Sequence, residues 1–316
     1  MTTTNTTPEP LIINAAITGM VPMPKDNPSV PITVPQIIAE ARRCAEAGAS
    51  IIHIHARDEG GTPTWRREVY QEIIDGIRAK CPGLLISAST SGRLWSDFEK
   101  RSEVLECGSE FASLTPGSMN FPGTASVNPP AIITQLATAM QKHGQIPELE
   151  FFEIGMIDYV RDYLVPKGIL QPPFYANLLL GSLGTLGASA RNLAHMVDAL
   201  PPGTVWSGAG IGRFQLTVNS LAIEMGGHVR VGLEDNLWMD AAKTDPATNV
   251  RLIERVVRMA QAAGRSIADP ACARRIIGLK AQKEPGENRL STPGINPHSV
   301  AIHAIPPSTR SRQPRV

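Results

Sequence analysis

The four cysteines of this chain, Cys44, Cys81, Cys107 and Cys272, lie far apart, and no Cys-x-x-Cys pair exists. That suggests neither a thiolate zinc site nor a disulfide framework, and it fits a reducing, cytoplasmic setting. Aromatic residues are scarce, at 5% of the chain, so an aromatic platform for stacking bases is not expected. Neither sign of charge dominates: the formal net charge is +1, which gives no bulk attraction to nucleic acid or to an anionic membrane. No apolar run approaches the ~20 residues of a membrane helix. The Thr-rich opening, Met1 to Pro10, has neither the basic nor the apolar region of a signal peptide. What remains is a globular balance, 42% hydrophobic and 19% charged over 316 residues, enough for one large domain or two small ones.

One stretch stands out within that balance. Ser50 to Asp58 reads Ser-Ile-Ile-His-Ile-His-Ala-Arg-Asp, a short apolar run bounded by Gly48 and by Gly60-Gly61. Its length and its bounds predict a buried strand. Residues two apart on a strand share a face, so His53 and His55 aim at one point, a natural half-site for a divalent metal such as zinc. The alternative is a pair of core histidines, each bonded to a backbone carbonyl.

Around this stretch the chain alternates. Strands are expected at Leu11–Thr18, Leu84–Ser89, Phe111–Leu114, Glu148–Glu153, Phe174–Leu180, Val205–Gly208 and His228–Leu233. Helices are expected at Val34–Ala47, Arg66–Lys80, Ser96–Cys107, Pro130–His143, Met156–Pro166, Ser189–Leu200, Phe214–Met225 and Ala247–Ala263. The first helix carries a capping box, with Thr33 as N-cap and Gln36 three residues on. Asp269–Leu279 reads as one more short helix. Thr115 to Asn128, rich in Gly, Pro and Asn, reads as a loop. Eight strand-then-helix units in about 250 residues give the rhythm of a (β/α)₈ TIM barrel over residues 11–280, with an open doubly wound sheet as the alternative. Residues 1–10 then form an N-terminal extension. Residues 281–316, rich in Pro, Ser and Arg without a period, read as a flexible tail.

In such a barrel the chemistry sits at the C-terminal ends of the strands. Collected there are His53, His55 and Arg57; Ser89 and Thr90; Ser113, Thr115 and, beyond them, Asn120; Glu150 and Glu153; and Arg230 with Glu234 and Asp235. Glu234 is the best third metal ligand, because two imidazoles and a carboxylate leave a position open for water or substrate. Asp235 is a candidate base, held ionised by Arg230. Alternatively, both acids cap the next helix. Glu150 is either a rival ligand or a group that orients the substrate or a metal-bound His. The loop Gly208 to Arg213 resembles a phosphate cradle, with Gly210, Gly212 and Arg213 as cofactor contacts, or else is a tight turn.

Six segments together resemble the β-keto acid cleavage enzyme family, whose type member cleaves 3-keto-5-aminohexanoate. They are Ile13–Gly19, Glu46–Asp58, Ser89–Gly92, Gly117–Phe121, Gly208–Arg213 and Gly226–Asn236. The resemblance covers about Leu11 to Leu279. It implies a (β/α)₈ barrel with catalytic zinc and condensation of a β-keto acid with acetyl-CoA, giving acetoacetate and a new acyl-CoA. By position, it implies His53, His55 and Glu234 as zinc ligands and Arg230 with Asp235 as a catalytic dyad. Ser89 and Ser113 would line the substrate, and Glu150 would lie near the reacting groups. It also implies a homo-oligomer, a tetramer.

One position departs from that pattern. In the enzyme acting on the amino substrate, an acidic residue two positions after the first strand's glycine receives the ammonium. Here Val21 follows Gly19 and Met20. With Met20, Val21 and Met23 the first loop is apolar, so the expected substrate side chain is uncharged, or a quaternary ammonium held by Trp65 or Trp95. Two other readings use the same residues: an amidohydrolase-type zinc hydrolase, and a CoA- or metabolite-binding barrel without catalysis.

Overall fold

A computed structural model describes residues 8–280 of the chain. The proposed tail, 281–316, lies outside the described residues, as do the first seven positions of the proposed N-terminal extension.

Eight parallel strands close into a barrel. They are β1 (Ile13–Ala16), β2 (Ile51–Ile54), β3 (Leu85–Ala88), β4 (Phe111–Leu114), β5 (Ile146–Phe151), β6 (Tyr175–Leu180), β7 (Val205–Gly210) and β8 (His228–Val231). The helices that follow them are α1 (Val34–Glu46), α2 (Arg67–Lys80), α3 (Phe98–Ser102), α4 (Pro130–Lys142), α5 (Ile154–Tyr159), α6 (Ala190–Ala199), α7 (Gln215–Glu224) and α8 (Asn249–Ala262). This is the expected (β/α)₈ barrel, not the open sheet. A ninth helix, α9 (Pro270–Ile277), follows the last unit.

The caps explain where helices begin. Thr33 and Gln36 form the expected capping box, and the side chains of Asp97, Ser189, Thr248 and Asp269 each accept a backbone N–H of the first turn. Outward-facing strand residues, such as Ile13, Ile52, Ile86 and Leu149, pack against the helices in one continuous core. Inward-facing residues form layers. The bottom layer is apolar: Ile12, Ile51, Leu85, Phe111 and Tyr175 pack against Ala273 and Ile277 of α9. Above it the interior turns polar, with Asn14, His53, Ser87, Glu148, Asn177, Ser207 and Arg230 all buried.

Three expectations need correction. The loop from Thr115 to Asn128 contains a small antiparallel hairpin, Met119–Phe121 paired with Thr124–Ser126. The helix expected at Ser96–Cys107 is shorter, five α-helical residues continued by a 3-10 turn, Glu103–Cys107. The helix expected at Met156–Pro166 begins at Ile154 and widens into a π turn at Val160–Leu164.

Candidate functional site

The site is built from the polar upper half of the barrel. β2 directs His53 and His55 to the same side, and their Nε2 atoms lie 3.3 Å apart. The Glu234 carboxylate completes a triangle, with Oε1 at 3.3 Å from His55 Nε2 and Oε2 at 3.8 Å from His53 Nε2. Donors at 2.0–2.1 Å from a tetrahedral ion are separated by about 3.3 Å, so these spacings fit a metal. Two further observations agree. Glu234 Oε2 is buried without a hydrogen-bond partner among the described residues. His53 Nδ1 donates to Glu148 Oε2 at 2.8 Å, which leaves its Nε2 lone pair facing the triangle.

Glu148 is the residue the sequence reading missed. It is fully buried on β5 and also receives Asn177 Nδ2 at 2.7 Å, Asn14 Nδ2 and the Ser87 hydroxyl. Burial would push its pKa up, but the His53 imidazole, Arg230 and Ser87 outweigh burial and hold it at about 2. The permanently ionised carboxylate fixes the tautomer and the aim of His53, the usual outer-shell arrangement of a ligating imidazole. His53 also makes a second possible donor group with Glu148 and Glu150. Glu148 is saturated by its own hydrogen bonds, whereas the Glu234 triangle keeps a carboxylate oxygen without a hydrogen-bond partner among the described residues.

Arg230, fully buried on β8, binds three carboxylates at once. Nε donates to Asp235 Oδ2 at 3.0 Å, Nη2 to Glu234 Oε1 at 2.8 Å and Nη1 to Glu150 Oε1 at 3.1 Å. Glu150 also accepts the Thr115 hydroxyl at 3.0 Å. The electrostatics separate the acids. Despite burial, Glu234 is held well below the usual carboxylate range by His55, Arg230 and His53. Burial raises Asp235, helped by the adjacent Glu234 charge and opposed by Arg230. Burial raises Glu150 as well. Burial lowers His55, which keeps it neutral and suited to ligation. Burial also lowers His53, but Glu148 and Glu234 more than offset it.

The backbone carries this cluster on short ties. Glu234 N–H donates to Ala16 O at the end of β1, and Gly212 N–H donates to Asp235 O at 2.7 Å. Asn249 spans beneath the loop: its Oδ1 accepts Leu233 N–H, and its Nδ2 donates to Ile17 O and Glu40. Gly19 adopts φ +71°, and a Cβ there would stand 2.7 Å from Glu234 Cγ. Only glycine leaves Glu234 room.

A cavity of ≈ 810 Å³ opens above the cluster. Ser89, Val21, Gly212 and Arg213 line it, beside His55, Glu150, Arg230, Glu234 and Asp235. Thr90 and Ser113 do not line it. They latch β3 to β4, with the Thr90 hydroxyl on Ser113 O at 2.6 Å and Thr90 N–H on Ser113 Oγ at 3.1 Å. Asn120 is exposed on the hairpin, and Gly210 is packed under the Phe214 backbone. Arg57 turns away to hold the first loop through Gly19 O and Pro22 O. Trp65 and Trp95 meet edge to face at 5.1 Å, and Lys100 Nζ sits 4.9 Å over Trp65. That ring face is already occupied by a cation of the chain itself. Among the described residues, the remaining histidines stand apart from the cluster: His143 caps α4, His195 lies on α6 and His228 lies at the lower end of β8.

Comparison with known proteins agrees with this architecture. A 3-keto-5-aminohexanoate cleavage enzyme of Fusobacterium nucleatum is 42% identical over 273 residues, covering 86% of this chain and 99% of that protein. A 3-oxoadipate:acetyl-CoA acetyltransferase of Cupriavidus necator is 35% identical, covering 89% and 99%. Among solved structures, apo ObcA superposes with a TM-score of 0.71 at 20% identity, covering 79% of this chain and 66% of that one, a likeness of fold. The profile of the beta-keto acid cleavage enzyme family matches residues 10–279, and the chain belongs to that family.

Proposed function

We propose that this chain is a zinc-dependent transferase that condenses a β-keto acid with acetyl-CoA and releases acetoacetate and a new acyl-CoA. The observation that carries this reading is the His53–His55–Glu234 triangle joined through Arg230 to Asp235 beneath one cavity. The printed names of the relatives, a cleavage enzyme and an acetyl-CoA acetyltransferase, support it.

His53, His55 and Glu234 would hold the zinc, with Glu148 orienting His53. When bound, zinc supplies Lewis acidity, which makes the carbon between a carboxylate and a ketone easier to deprotonate. Asp235 takes that proton from C2 of the β-keto acid. Arg230 aims the Asp235 carboxylate, and Asp235's raised proton affinity suits a base. A bond then forms between C2 and the acetyl carbonyl carbon. CoA leaves as the thiolate and attacks the original ketone, and the bond from C2 to that carbon breaks. The proton on Asp235 returns as acetoacetate departs, so the reaction consumes and releases no net proton. Glu150, fixed by Arg230 and Thr115, and Ser89 line the reacting end. Gly212, Arg213 and the exposed Lys243 supply the rim where CoA phosphates would lie. A hydrolase of the amidohydrolase type would need further histidines at the metal, and among the described residues His143, His195 and His228 are elsewhere. The proposal includes a cytoplasmic homo-oligomer, a tetramer by family likeness, with no nucleic-acid or membrane partner. Among the described residues no helix is long and apolar enough to cross a membrane.

The test joins metal analysis to product analysis. The protein should hold about one zinc per chain and form acetoacetate from a β-keto acid and acetyl-CoA. His53→Ala with His55→Ala should lose both while keeping its circular dichroism. Full metal content in the double variant, or no acetoacetate from a panel of β-keto acids, would sink the assignment.

A further inference from the structure

Resting on that reading of the site, we infer that Arg93 recognises a carboxylate at the far end of the substrate, so that the enzyme's substrate is a β-keto diacid. Arg93 leaves the loop after β3 and lines the ≈ 810 Å³ cavity. Its guanidinium stacks on the face of Phe121, 3.9 Å from the ring centroid. Stacking fixes the plane of the guanidinium and leaves its edge N–H groups free, the orientation that takes a carboxylate through two hydrogen bonds. Among the described residues its side chain has no hydrogen bond and no carboxylate within ion-pair distance, whereas Arg230 is satisfied three times over. Phe121 is itself braced edge to face against Phe152 at 5.5 Å, so the platform is rigid.

An arginine in this position ranks the side chains it can meet. A primary ammonium would face a like charge, with no acid at Val21 to compensate. A neutral chain would cover a half-buried guanidinium and leave its N–H groups unpaired, which costs free energy. A carboxylate satisfies both charge and hydrogen bonds. The apolar first loop predicts an uncharged side chain. The cavity adds a cation on another wall, and that changes the expectation. The occupied Trp65 face also weighs against a quaternary ammonium.

CoA phosphates are the other source of an anion, and the topology separates them. In the closed ring β3 and β7 stand four places apart, on opposite sides of the barrel. Arg93 follows β3. Arg213 follows β7 and, with Lys243, also borders a second opening of ≈ 550 Å³. The exposed rim pair suits phosphates, and the half-buried, stacked Arg93 suits the end of a short side chain.

The experiment compares 3-oxohexanedioate with 3-oxohexanoate, each with acetyl-CoA. The unmodified, metal-replete protein should prefer the diacid in kcat/KM by roughly 10- to 100-fold, the scale of a charged hydrogen-bonded pair. In Arg93→Met that ratio should collapse toward one, mainly through KM, with the acetyl-CoA KM unmoved. Arg93→Lys should recover part of it. Calorimetric titration of the same proteins with each acid, without acetyl-CoA, should give the same ordering in Kd. A neutral acid preferred by the unmodified protein, equal losses for both acids in Arg93→Met, or a raised acetyl-CoA KM would overturn the inference. Diacid binding that depends on Arg93, without acetoacetate formation from any acid, would overturn the reaction instead and leave the recognition standing.

Discussion

Glu148 and Asp235 differ in sequence only as two acids near strand ends, yet their surroundings give them opposite tasks. Glu148 accepts from His53, Ser87, Asn14 and Asn177, so every oxygen lone pair is used and none can take a substrate proton. Among the described residues Asp235 has only Arg230 as a side-chain hydrogen-bond partner, and it faces the cavity. Two variants separate the roles. Glu148→Gln places an amide among donors and frees the His53 ring. Zinc affinity should fall about 10- to 100-fold, with a lower Tm. Asp235→Asn should keep its zinc and lose on the order of 10²- to 10⁴-fold in kcat, the usual scale for a missing base. Zinc competition with a chromophoric chelator, alongside kcat, reads both. Unchanged zinc affinity in Glu148→Gln would mean that His53 is not held by its partner. The sequence makes half of this legible. Glu148 and Glu150 share a face by the two-residue period of a strand. Which of them lies at the depth of His53 depends on the barrel's stagger, and no local pattern records that.

At the scale of the element, β8 shows how one strand serves two ends of the barrel. Arg230 and the loop carrying Glu234 and Asp235 belong to the top. His228, two residues before Arg230, belongs to the bottom, where its Nδ1 accepts Ile12 N–H at 3.0 Å. Its Nε2 lies 3.5 Å from the exposed Glu9 carboxylate, and the Arg265 charge also acts on it. Burial, with a smaller push from Arg265, lowers its pKa from 6.5 to about 3. The folded ring therefore stays neutral while the unfolded chain takes up a proton below pH 6.5, so acidification favours unfolding from about pH 6.5 down to about pH 3. The cost is at most ~1.4 kcal/mol per pH unit. His228→Gln can keep an acceptor for Ile12 N–H and removes the titration. In urea unfolding, the stability gap between wild type and variant should shrink from pH 7 to pH 4.5. A gap equal at both values would count against the buried neutral histidine. Elements of this kind were legible wherever periodicity and caps agreed, as at Thr33 and Phe111–Leu114. The hairpin at Met119–Phe121 was not, because its three-residue strands sit among turn-forming residues and pair only with each other. Arg93 was not legible for a related reason: a loop side chain takes its direction from the ring it stacks on, and Phe121 lies on that hairpin.

Taken whole, the barrel divides its labour by height. The bottom is filled by Phe111, Tyr175 and the aliphatic residues that meet α9. The polar layer above spends its hydrogen bonds on orienting His53 and Arg230, and the top is left open. The seam of the ring is where the proposed metal site and the fold meet. β2 provides His53 and His55, the loop after β8 provides Glu234, and β1 lies hydrogen-bonded between those two strands. An ion held by all three donors would therefore tie together strands distant in sequence. At this triangle two imidazole nitrogens face each other at 3.3 Å, and among the described residues Glu234 Oε2 is buried without a hydrogen-bond partner. Both cost free energy in the folded state only. A ligand bound only by the folded chain at a thousand times its Kd stabilises by about 4 kcal/mol. Removing the zinc with a chelator should thus lower Tm, by roughly 5–10 °C for a domain of this size. Zinc returned in slight excess should restore it. The His53→Ala, His55→Ala double variant should melt at one temperature with or without chelator. A chelator that shifts Tm equally in both proteins would place the stabilising ion somewhere other than this triangle.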